Sequence, residues 1–437
     1  MKKEDADLIC NVEGRAPMAT LFRSYWLPAL KSDELQSDGA PRRVRLLGRN
    51  YVAFRNSEGE VGLLDENCPH RGASLVLARN EDCALQCLYH GWRIDREGQI
   101  LETPAEPEGR NTIGNNVHQP SYPCVEAGEI VWVYLGEEAQ PPSPPQFDFT
   151  GIPPENVLVY KSQLQTNWLR GLDGGFDTAH VMYLHANGLR SNWAGGSSEV
   201  PRSKWEIPSG GDDVVPQIEV ERTPYGLRYA GIRQGSTPGT SFVRSYHFVL
   251  PGYAYIPATN TMASMMAFVP IDNWHTLHWG ILYRTDDQAM TYEDREDVLH
   301  QLGRRPGIDI DDEGRGFQNR SNLWGQDREA MMRRESFSGI AGIWDEDYAV
   351  QESMPPDVHT REHLGASDLA VIRVRRILLD LAKDIRSGKN SAPAFPNDFD
   401  LRRIRAGEAV VSTGSDWRDV APWLDLKEPK ALVGGSS

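Results

Sequence analysis

Two short cysteine–histidine pairs constrain this sequence more than any other feature. The first is Cys68-Pro69-His70, and after a gap of sixteen residues comes the second, Cys87-Leu88-Tyr89-His90. Each pair offers one thiol and one imidazole from a tight loop, so a scaffold must bring the two loops together if all four side chains bind one centre. Two thiolates and two imidazoles are the ligand set of a [2Fe–2S] cluster in which both histidines bind one iron.

The same residue types also fit a structural Cys₂His₂ zinc site, since zinc binds both thiolate and imidazole. Cys-x-His is an unusual opening for a zinc finger, and the helical histidine pair of a finger is absent. The flanking residues Gly72, Gly91 and Trp92, together with Tyr89, resemble the paired loops of the Rieske family. We therefore expect Cys68, His70, Cys87 and His90 to bind a Rieske [2Fe–2S] cluster.

Composition limits the class of protein. The 437-residue chain has a formal net charge of −16, which argues against nucleic acid because phosphates require clustered lysine and arginine. No window approaches the roughly 18 uninterrupted apolar residues of a membrane helix, and the first residues lack the apolar stretch of a secretory signal. Five cysteines in so long a chain do not describe a disulfide framework. We expect a cytoplasmic protein without membrane or nucleic-acid binding, in which Cys10, Cys83 and Cys124 are small buried thiols.

The pattern along the chain predicts an α+β protein with two main domains. Residues 1–41 predict an N-terminal helical segment that packs on the larger domain, with an apolar rhythm at 15–31 that ends near Pro28. Residues 42–140 consist of short strands and turns and predict an all-β cluster domain, closed by a proline-rich linker. Residues 141–388 predict the larger α+β domain, and 389–437 an extended tail over the surface.

Within the larger domain, residues 166–186 favour a helical segment, and residues 367–385 repeat apolar side chains at helical spacing. Residues 187–215 are rich in Gly, Ser, Asn and Pro and predict a long mobile loop. Three stretches alternate as strands of one sheet, at residues 217–233, 241–256 and 261–284.

A second metal motif lies in the larger domain, where Asp177, His180 and His185 form Asp-x₂-His-x₄-His. Two histidines and a distant carboxylate make the facial triad that leaves positions on a non-haem iron open. Residues five apart on a regular helix point roughly 140° away from each other. The helix must therefore bulge or end between His180 and His185 if they share one iron. Alone, the pair would equally suit two unrelated helix histidines, and the cluster motif in the same chain favours the iron site.

The two motifs in this order resemble the α subunits of Rieske non-haem iron ring-hydroxylating oxygenases, and most of all the phthalate-dioxygenase-like branch. The resemblance runs from about Met18 to about Leu381. It implies an N-terminal all-β Rieske domain followed by an α+β catalytic domain, an antiparallel sheet with helices. Its distinctive stretches are Val269-Pro-Ile-Asp272, Gln326-Asp-Arg328, Gln351-Glu-Ser-Met354 and Arg361-Glu-His-Leu-Gly-Ala-Ser-Asp368.

The resemblance also implies roles for individual acids. The family pattern Glu-Asp-x-x-Val-x-Glu falls on Asp347 as the third ligand of a mononuclear Fe(II), with Asp345 and Glu346 as competitors. Asp177 matches a catalytic aspartate that, in this family, hydrogen-bonds an iron-binding histidine and a Rieske histidine of the neighbouring subunit. The physical reason is that a hydrogen-bonded carboxylate orients a metal-binding imidazole.

The implied activity is that of a terminal oxygenase, which uses O₂ and electrons from a separate NAD(P)H-dependent reductase to hydroxylate a phthalate- or benzoate-type acid. This sequence has no G-x-G-x-x-G turn for a dinucleotide of its own. An aryl O-demethylase is the alternative within the class, and a Rieske electron carrier or a zinc-binding interaction protein the alternatives outside it. The resemblance also implies a homotrimer or two stacked trimers.

An aromatic acid usually needs an arginine to bind its carboxylate. Arg244, in the alternating strand at 241–249, is the candidate for this role, with Arg233 behind it. An ordinary arginine on a surface strand is an equally good interpretation of Arg244.

Overall fold

The structure is a computed structural model and describes residues 1–107, 116–138, 141–186, 215–258, 261–286, 288–389 and 400–420. The chain divides into two compact units. The N-terminal unit comprises Val12–Pro145 and Pro270–Asn273, and the C-terminal unit comprises Met1–Asn11, Gln146–Val269 and Trp274–Ser437. Among the described helices, none is both long and apolar enough to cross a membrane.

The first 41 residues are divided between the two units and do not form one helical segment. Helix α1 (Lys3–Cys10) belongs to the C-terminal unit, whereas α2 (Pro17–Arg23) opens the N-terminal unit. The apolar rhythm continues into strand β1 (Trp26–Lys31), which differs from the helix predicted at 15–31. Both faces of β1 are buried, and a strand buried on both faces produces a run of apolar residues that imitates a helix.

The N-terminal unit is otherwise made of short antiparallel strands, as predicted. They form three sheets with the orders β1-β11-β10, β2-β3-β4-β9 and β5-β6-β7-β8. The last two sheets share one apolar core, to which β3 contributes Phe54 and β7 contributes Ile94. The strands are β2 (Arg42–Leu46), β3 (Arg49–Arg55), β4 (Val61–Asp65), β5 (Arg79–Glu81), β6 (Ala84–Gln86), β7 (Arg93–Asp95), β8 (Ile100–Glu102), β9 (Ser121–Tyr122), β10 (Cys124–Ala127) and β11 (Ile130–Tyr134).

The C-terminal unit is built on one large antiparallel sheet, which confirms the predicted α+β class. Seven strands follow the order β12-β18-β17-β16-β15-β14-β13, and β19 pairs with β15. Every residue of β17 is buried, which explains its unbroken apolar sequence. The strands are β12 (Val157–Leu164), β13 (Gln217–Thr223), β14 (Gly226–Gln234), β15 (Thr240–Val249), β16 (Tyr253–Pro257), β17 (Met262–Pro270), β18 (Thr276–Arg284) and β19 (Glu408–Ser412).

The helices of this unit include one long amphipathic helix. The longest has buried residues such as Val371, Val374 and Leu378 at the spacing that the sequence predicted. The helices after α1 and α2 are α3 (Trp168–Gly175), α4 (Val181–Leu184), α5 (Tyr292–Leu302), α6 (Arg328–Met332), α7 (Ile343–Ser353), α8 (Val358–Arg361) and α9 (Leu369–Arg386). The predicted loop at 187–215 lies outside the described residues except for its last position.

The C-terminal segment is part of the sheet and not only the surface tail predicted for 389–437. Strand β15 pairs with β16 only over His247–Val249, which leaves the edge at Thr240–Arg244 open. Strand β19 pairs with that edge, which would otherwise be a template for pairing with another chain. Trp417, beyond the strand, is buried. Residues 390–399 and 421–437 lie outside the described residues.

Candidate metal centres

Two loops of the N-terminal unit carry the four predicted cluster residues. One loop follows β4 and is closed by a bridge between Asn67 and Ser74, and the other joins β6 to β7. Their backbones are bonded in the same way: the N–H of Cys68 donates to the carbonyl of Ala73 at 2.8 Å, and that of Cys87 to Trp92 at 2.9 Å. Two of the three sheets of this unit, the one that contains β4 and the one that contains β6 and β7, therefore each present one cysteine–histidine loop.

A glycine closes each of these loops. The N–H groups of Gly72 and Gly91 donate to the carbonyls of Cys68 and Cys87, both at 2.9 Å. Both glycines have a positive φ, 76° and 75°, which other residues adopt only with strain. A side chain at Gly91 would also meet Pro104 at 2.8 Å. The glycines that flank the motif in the sequence are thus required by the shape of the loops.

The side chains of the two loops meet. Cys68 and Cys87 are each 3% exposed, and the rings of His70 and His90 lie 4.5 Å apart between centroids. Burial and the neighbouring Cys87 raise the pKa of the Cys68 thiol to about 11. Buried thiolates need nearby positive charge, and iron would supply it. Nδ1 of His70 is buried and has no hydrogen-bond partner among the described residues, so its lone pair is available. The donor set fits a [2Fe–2S] cluster.

The first loop is braced by residues that the sequence analysis missed. The carboxylate of Glu66 accepts hydrogen bonds from Arg43 at 2.9 Å and from the hydroxyl of Ser74 at 2.5 Å. The hydrogen bond from Arg43 holds the pKa of Glu66 below its ordinary value. On the other side, the amide of Gln119 donates to the carbonyls of Asp65 and Asn67. These bonds fix the start and the end of the loop around Cys68.

The second constellation lies in the C-terminal unit, just after α3. The carboxylate of Asp177 accepts hydrogen bonds from the N–H groups of Ala179 at 2.7 Å and His180 at 3.2 Å, and so begins the next turn. That turn, α4, has only four residues, Val181–Leu184. His185 follows with a non-helical backbone (φ −96°, ψ 28°). The helix therefore ends between the two histidines, as the five-residue spacing required.

His180 and His185 meet the carboxylate of Asp347, which lies in α7. Nε2 of His180 is 3.5 Å from Oδ1 of Asp347, and Nε2 of His185 is 3.4 Å from Oδ2. One ligand atom from each residue lies within 4.8 Å of the others. The structure thus brings the three predicted iron ligands together, in a geometry able to surround one metal ion.

Each histidine has a carboxylate at its other ring nitrogen. Nδ1 of His180 lies 3.2 Å from Oδ2 of Asp177, and Nδ1 of His185 lies 2.6 Å from Oε2 of Glu346. A carboxylate at Nδ1 holds the proton there and leaves Nε2 free to bind a metal. Glu346, a competitor for the ligand role, thus contacts a histidine on the side away from Asp347. The other oxygen of Glu346 accepts a 2.5 Å hydrogen bond from Ser338.

Asp345, the second competitor, lies away from the triad. Its carboxylate accepts a hydrogen bond at 2.8 Å from Arg304, whose side chain is fully buried. Burial raises the pKa of Asp345 despite this arginine. The three consecutive acids of α7 therefore have three different partners, which a helical turn of roughly 100° per residue produces.

The charges of the triad favour a bound cation. Burial alone would raise the pKa of Asp347, but the imidazoles of His185 and His180 outweigh it and lower that pKa. Burial lowers the pKa of His185, yet Asp347 and Glu346 together raise it to about 10. Without metal, a proton on His185 supplies the positive charge between these acids, and a metal ion would displace it.

Close packing positions α3 against α7. A Cβ atom at Gly174 would lie 2.1 Å from the side-chain nitrogen of Gln351, so a larger residue there would displace that amide. The neighbouring Glu352 accepts hydrogen bonds from the N–H of Gln165 and from the indole of Trp324, both at 2.8 Å. The Gln351-Glu-Ser-Met354 stretch therefore anchors the helix that carries Asp347 to the segment that carries the histidines.

The turn around Asp177 is held by side chains of the sheet. The guanidinium of Arg233 donates to the carbonyl of Thr178 at 2.6 Å, and the hydroxyl of Tyr246 to the Thr178 hydroxyl at 2.9 Å. Tyr229 donates to the carbonyl of Phe176 at 2.6 Å. Arg233, the secondary candidate for binding a substrate anion, is thus buried and bonded to the turn.

Arg244 is likewise buried, with an acid beside it. Its Nε lies 3.1 Å from Oε2 of Glu408, the first residue of β19, and its Nη2 donates to the carbonyl of Pro257. The guanidinium also lies 5.7 Å from the ring centre of Tyr246. This environment differs from the exposed strand arginine that the sequence also allowed. Glu408 was missed because it is far away in sequence, in a segment interpreted as a tail.

Comparisons with known proteins identify two family domains in this chain. Residues 25–123 match the model of the Rieske [2Fe-2S] domain, and residues 133–431 match the model described as LigXa C-terminal domain like. The chain is 37% identical over 428 residues to the phthalate 4,5-dioxygenase oxygenase subunit of Pseudomonas putida, covering 95% of this chain and 94% of that protein.

Two further similarities are informative. The chain is 32% identical over 436 residues to the 3-chlorobenzoate-3,4-dioxygenase oxygenase subunit of Comamonas testosteroni, covering 95% of this chain and 96% of the relative. Its fold is similar to that of dicamba monooxygenase bound to dicamba, with a TM-score of 0.59 and 18% identity over 84% of this chain and 98% of that one. At that identity the structural match shows the fold alone.

Proposed function

The chain belongs to the Rieske non-haem iron oxygenases, and we propose that it is the terminal oxygenase that hydroxylates a phthalate- or benzoate-type acid. One observation carries the proposal: His180, His185 and Asp347 converge in the same chain that holds two cysteine–histidine loops. The names of the two relatives, which act on phthalate and 3-chlorobenzoate, support an aromatic acid as substrate.

The two metal groups take different residues. We assign the [2Fe–2S] cluster to Cys68, His70, Cys87 and His90, and the mononuclear iron to the triad in the C-terminal unit. When bound, the cluster supplies single electrons and the mononuclear Fe(II) supplies O₂ activation. The protein would hold both groups, and its three ligands to the mononuclear iron would leave room for O₂ beside the substrate.

Asp177 is assigned two tasks. Its hydrogen bond to Nδ1 of His180 orients that imidazole. Burial opposes its ionisation, but the hydrogen bond and charge of His180 lower its pKa, so it remains a carboxylate at neutral pH. Its side chain is still 22% exposed, which leaves room for a second donor. We propose that this donor is a cluster histidine of a neighbouring subunit, so that Asp177 connects the two metal sites.

This connection requires an assembly, and we propose a homotrimer or two stacked trimers. Electrons come from a separate NAD(P)H-dependent reductase, because the sequence lacks the glycine-rich turn of a dinucleotide site. None of the five cysteines forms a disulfide, which suits the reducing cytoplasm. Mass measurement of the native assembly would test the trimer directly.

The decisive experiment is reconstitution. The iron-loaded chain would be mixed with a generic reductase, NADH, O₂ and separate aromatic acids: phthalate, 3-chlorobenzoate, benzoate and methoxybenzoates. We expect at least one acid to gain two oxygen atoms as a dihydrodiol, or one as a phenol, with ¹⁸O from ¹⁸O₂ in the product. His180→Ala would serve as the control, because it removes an iron ligand and leaves the cluster loops unchanged.

The other outcomes discriminate the alternatives. A demethylated methoxybenzoate with release of formaldehyde would assign the chain to the O-demethylases of the same class. Reduction and reoxidation of the cluster without any product would favour an electron carrier and overturn the oxygenase proposal. A colourless protein that contains zinc and lacks the Rieske EPR signal would overturn the cluster assignment as well.

A further inference from the structure

Trp92 lies against one of the proposed cluster ligands. Its indole ring is parallel to the imidazole of His70, with an interplanar angle of 0° and 4.8 Å between centroids. Trp92 is 2% exposed and belongs to the same apolar core as Cys68 and Cys87. Trp92 therefore belongs to the second loop but covers His70, the histidine of the first loop.

The N–H of Trp92 has no acceptor among the described residues. The other two tryptophans of the N-terminal unit differ in this respect. The indole of Trp26 donates to the carbonyl of Pro142 at 2.9 Å, and that of Trp132 to Ala127 at 3.0 Å. Burying a donor without a partner is unfavourable, because the group loses its hydrogen bond to water. The two buried thiols beside Trp92 become sulfur acceptors of the cluster when iron is bound.

We propose that Trp92 sets the reduction potential of the cluster by donating its N–H to a cluster sulfur. One-electron reduction adds negative charge to the cluster, and a donor to sulfur stabilises the reduced form more than the oxidised form. The stacked ring excludes water from His70 on the same side. Trp92 is a positioning and tuning residue and takes no part in the chemistry at the mononuclear iron.

The test is a redox titration of the full-length holoprotein carrying Trp92→Phe. Phenylalanine keeps an aromatic ring for the stack and removes the N–H together with part of the indole ring, a loss of volume that the control variant shares. We expect the reduction equilibrium to shift against the reduced cluster by about tenfold, which for one electron is about 59 mV. Trp132→Phe is the matched control: the same change in the same unit, removing a hydrogen bond to backbone, should leave the potential unchanged.

A Trp92→Phe potential equal to that of the wild type would overturn the proposal, and so would an equal shift in Trp132→Phe. If Trp92→Phe fails to hold the cluster, the wild-type protein labelled with ¹⁵N in its indole rings gives a second test. Pulsed EPR of the reduced cluster should then detect coupling to an indole nitrogen, and its absence would overturn the proposal.

This inference rests on the cluster ligands assigned under the proposed function, and the two can fail separately. A wild-type preparation without the Rieske EPR signal would refute the ligand assignment before any variant is compared. A normal signal with an unchanged potential in Trp92→Phe would refute only the role of Trp92.

Discussion

Nδ1 of His185 lies 2.6 Å from Oε2 of Glu346, the residue directly before Asp347 on α7. One helix therefore supplies both a proposed iron ligand and the carboxylate that orients another ligand. From the sequence, Glu346 competes with Asp347 for the role of iron ligand, because spacing alone cannot distinguish three consecutive acids. The structure distinguishes them by their partners: Asp347 faces Nε2 of both histidines, Glu346 faces Nδ1 of His185, and Asp345 binds Arg304.

Replacing Glu346 should weaken metal binding without removing a ligand. Glu346→Ala leaves His185 free to rotate and to change tautomer, and we expect Fe(II) affinity to fall by about 10- to 100-fold. Titration of the metal-free protein with Fe(II) or Co(II) measures this. Glu352→Gln is the matched control, since it alters a buried carboxylate of the same helix that accepts from Gln165 and Trp324. Unchanged affinity in Glu346→Ala would contradict the orienting role.

Asp347→Asn should empty the mononuclear site selectively. An amide carries no charge to offset Fe(II), so we expect iron content to fall to the two irons of the cluster, with the Rieske EPR signal intact. Asp345→Asn is the contrasting variant. It removes the partner of buried Arg304, so it should reduce stability by about 3–5 kcal/mol while the folded protein keeps its third iron. A third iron retained by Asp347→Asn would exclude Asp347 as a ligand.

Asp177→Asn should separate electron transfer from metal binding. Asparagine keeps the size of the side chain but weakens the hydrogen bond to His180. We expect reoxidation of the reduced cluster in the presence of substrate and O₂ to slow by on the order of 10- to 100-fold, with iron content near that of the wild type. Stopped-flow absorbance follows the cluster. If Asp177→Asn lost its mononuclear iron in proportion to its activity, the side chain would act only as a support for His180.

The site was largely predictable because its ligands come in short local motifs. Cys68-x-His70 and His180-x₄-His185 are fixed by spacing within one loop or one turn. The sequence offers Glu346 only as a competitor of Asp347 for the iron, and its pairing with His185 is not predicted because the two residues are 161 positions apart. Long-range pairs of this kind leave no periodic signal, and the same applies to Glu66 and Gln119 around the cluster loops.

The sequence predicts a helix or strand well where only one face of that element is buried, and less well where both faces are. The α9 helix was found because its apolar residues repeat at helical spacing. The sequence predicts a helix at strand β1 because the strand is buried on both faces and its apolar residues do not alternate. The sequence predicts a tail in place of β19, because the strand has only five residues without a clear apolar alternation. Its place depends on an open edge of β15 that the sequence does not reveal.

The contact that joins α9 to the rest of the C-terminal unit should weaken in acid. Arg375 of α9 binds both Asp173, at 2.7 Å, and Glu362. Burial would raise the pKa of Glu362, but His359 and Arg375 outweigh it and lower the pKa from 4.5 to about 2. A lowered pKa stabilises the folded protein above the unfolded value, so this contribution is complete above pH 4.5 and is lost as pH falls towards 2.

Glu362→Gln should therefore be less stable than the wild type at neutral pH, by about 1.5–3 kcal/mol. The difference should shrink between pH 4.5 and 2, as Glu362 in the wild type takes up its proton. Denaturant unfolding at several pH values measures both effects. Glu329→Gln provides the comparison, because that side chain is 80% exposed and its ion pair is weak. If the difference in stability between Glu362→Gln and the wild type stayed constant down to pH 2, the charge of Glu362 would not be its cause.

The pairing of Arg244 with Glu408 predicts that this arginine stabilises the fold. Arg244→Met leaves Glu408 buried without its cation and should cost about 3–5 kcal/mol, whereas the double variant with Glu408→Leu should recover most of it. Thermal unfolding of the two variants measures the difference. KM for an aromatic acid should stay unchanged in the folded variants, because Glu408 already neutralises the guanidinium. A raised KM in both variants would instead assign Arg244 to the substrate carboxylate, as the sequence suggested, with Glu408 displaced on binding.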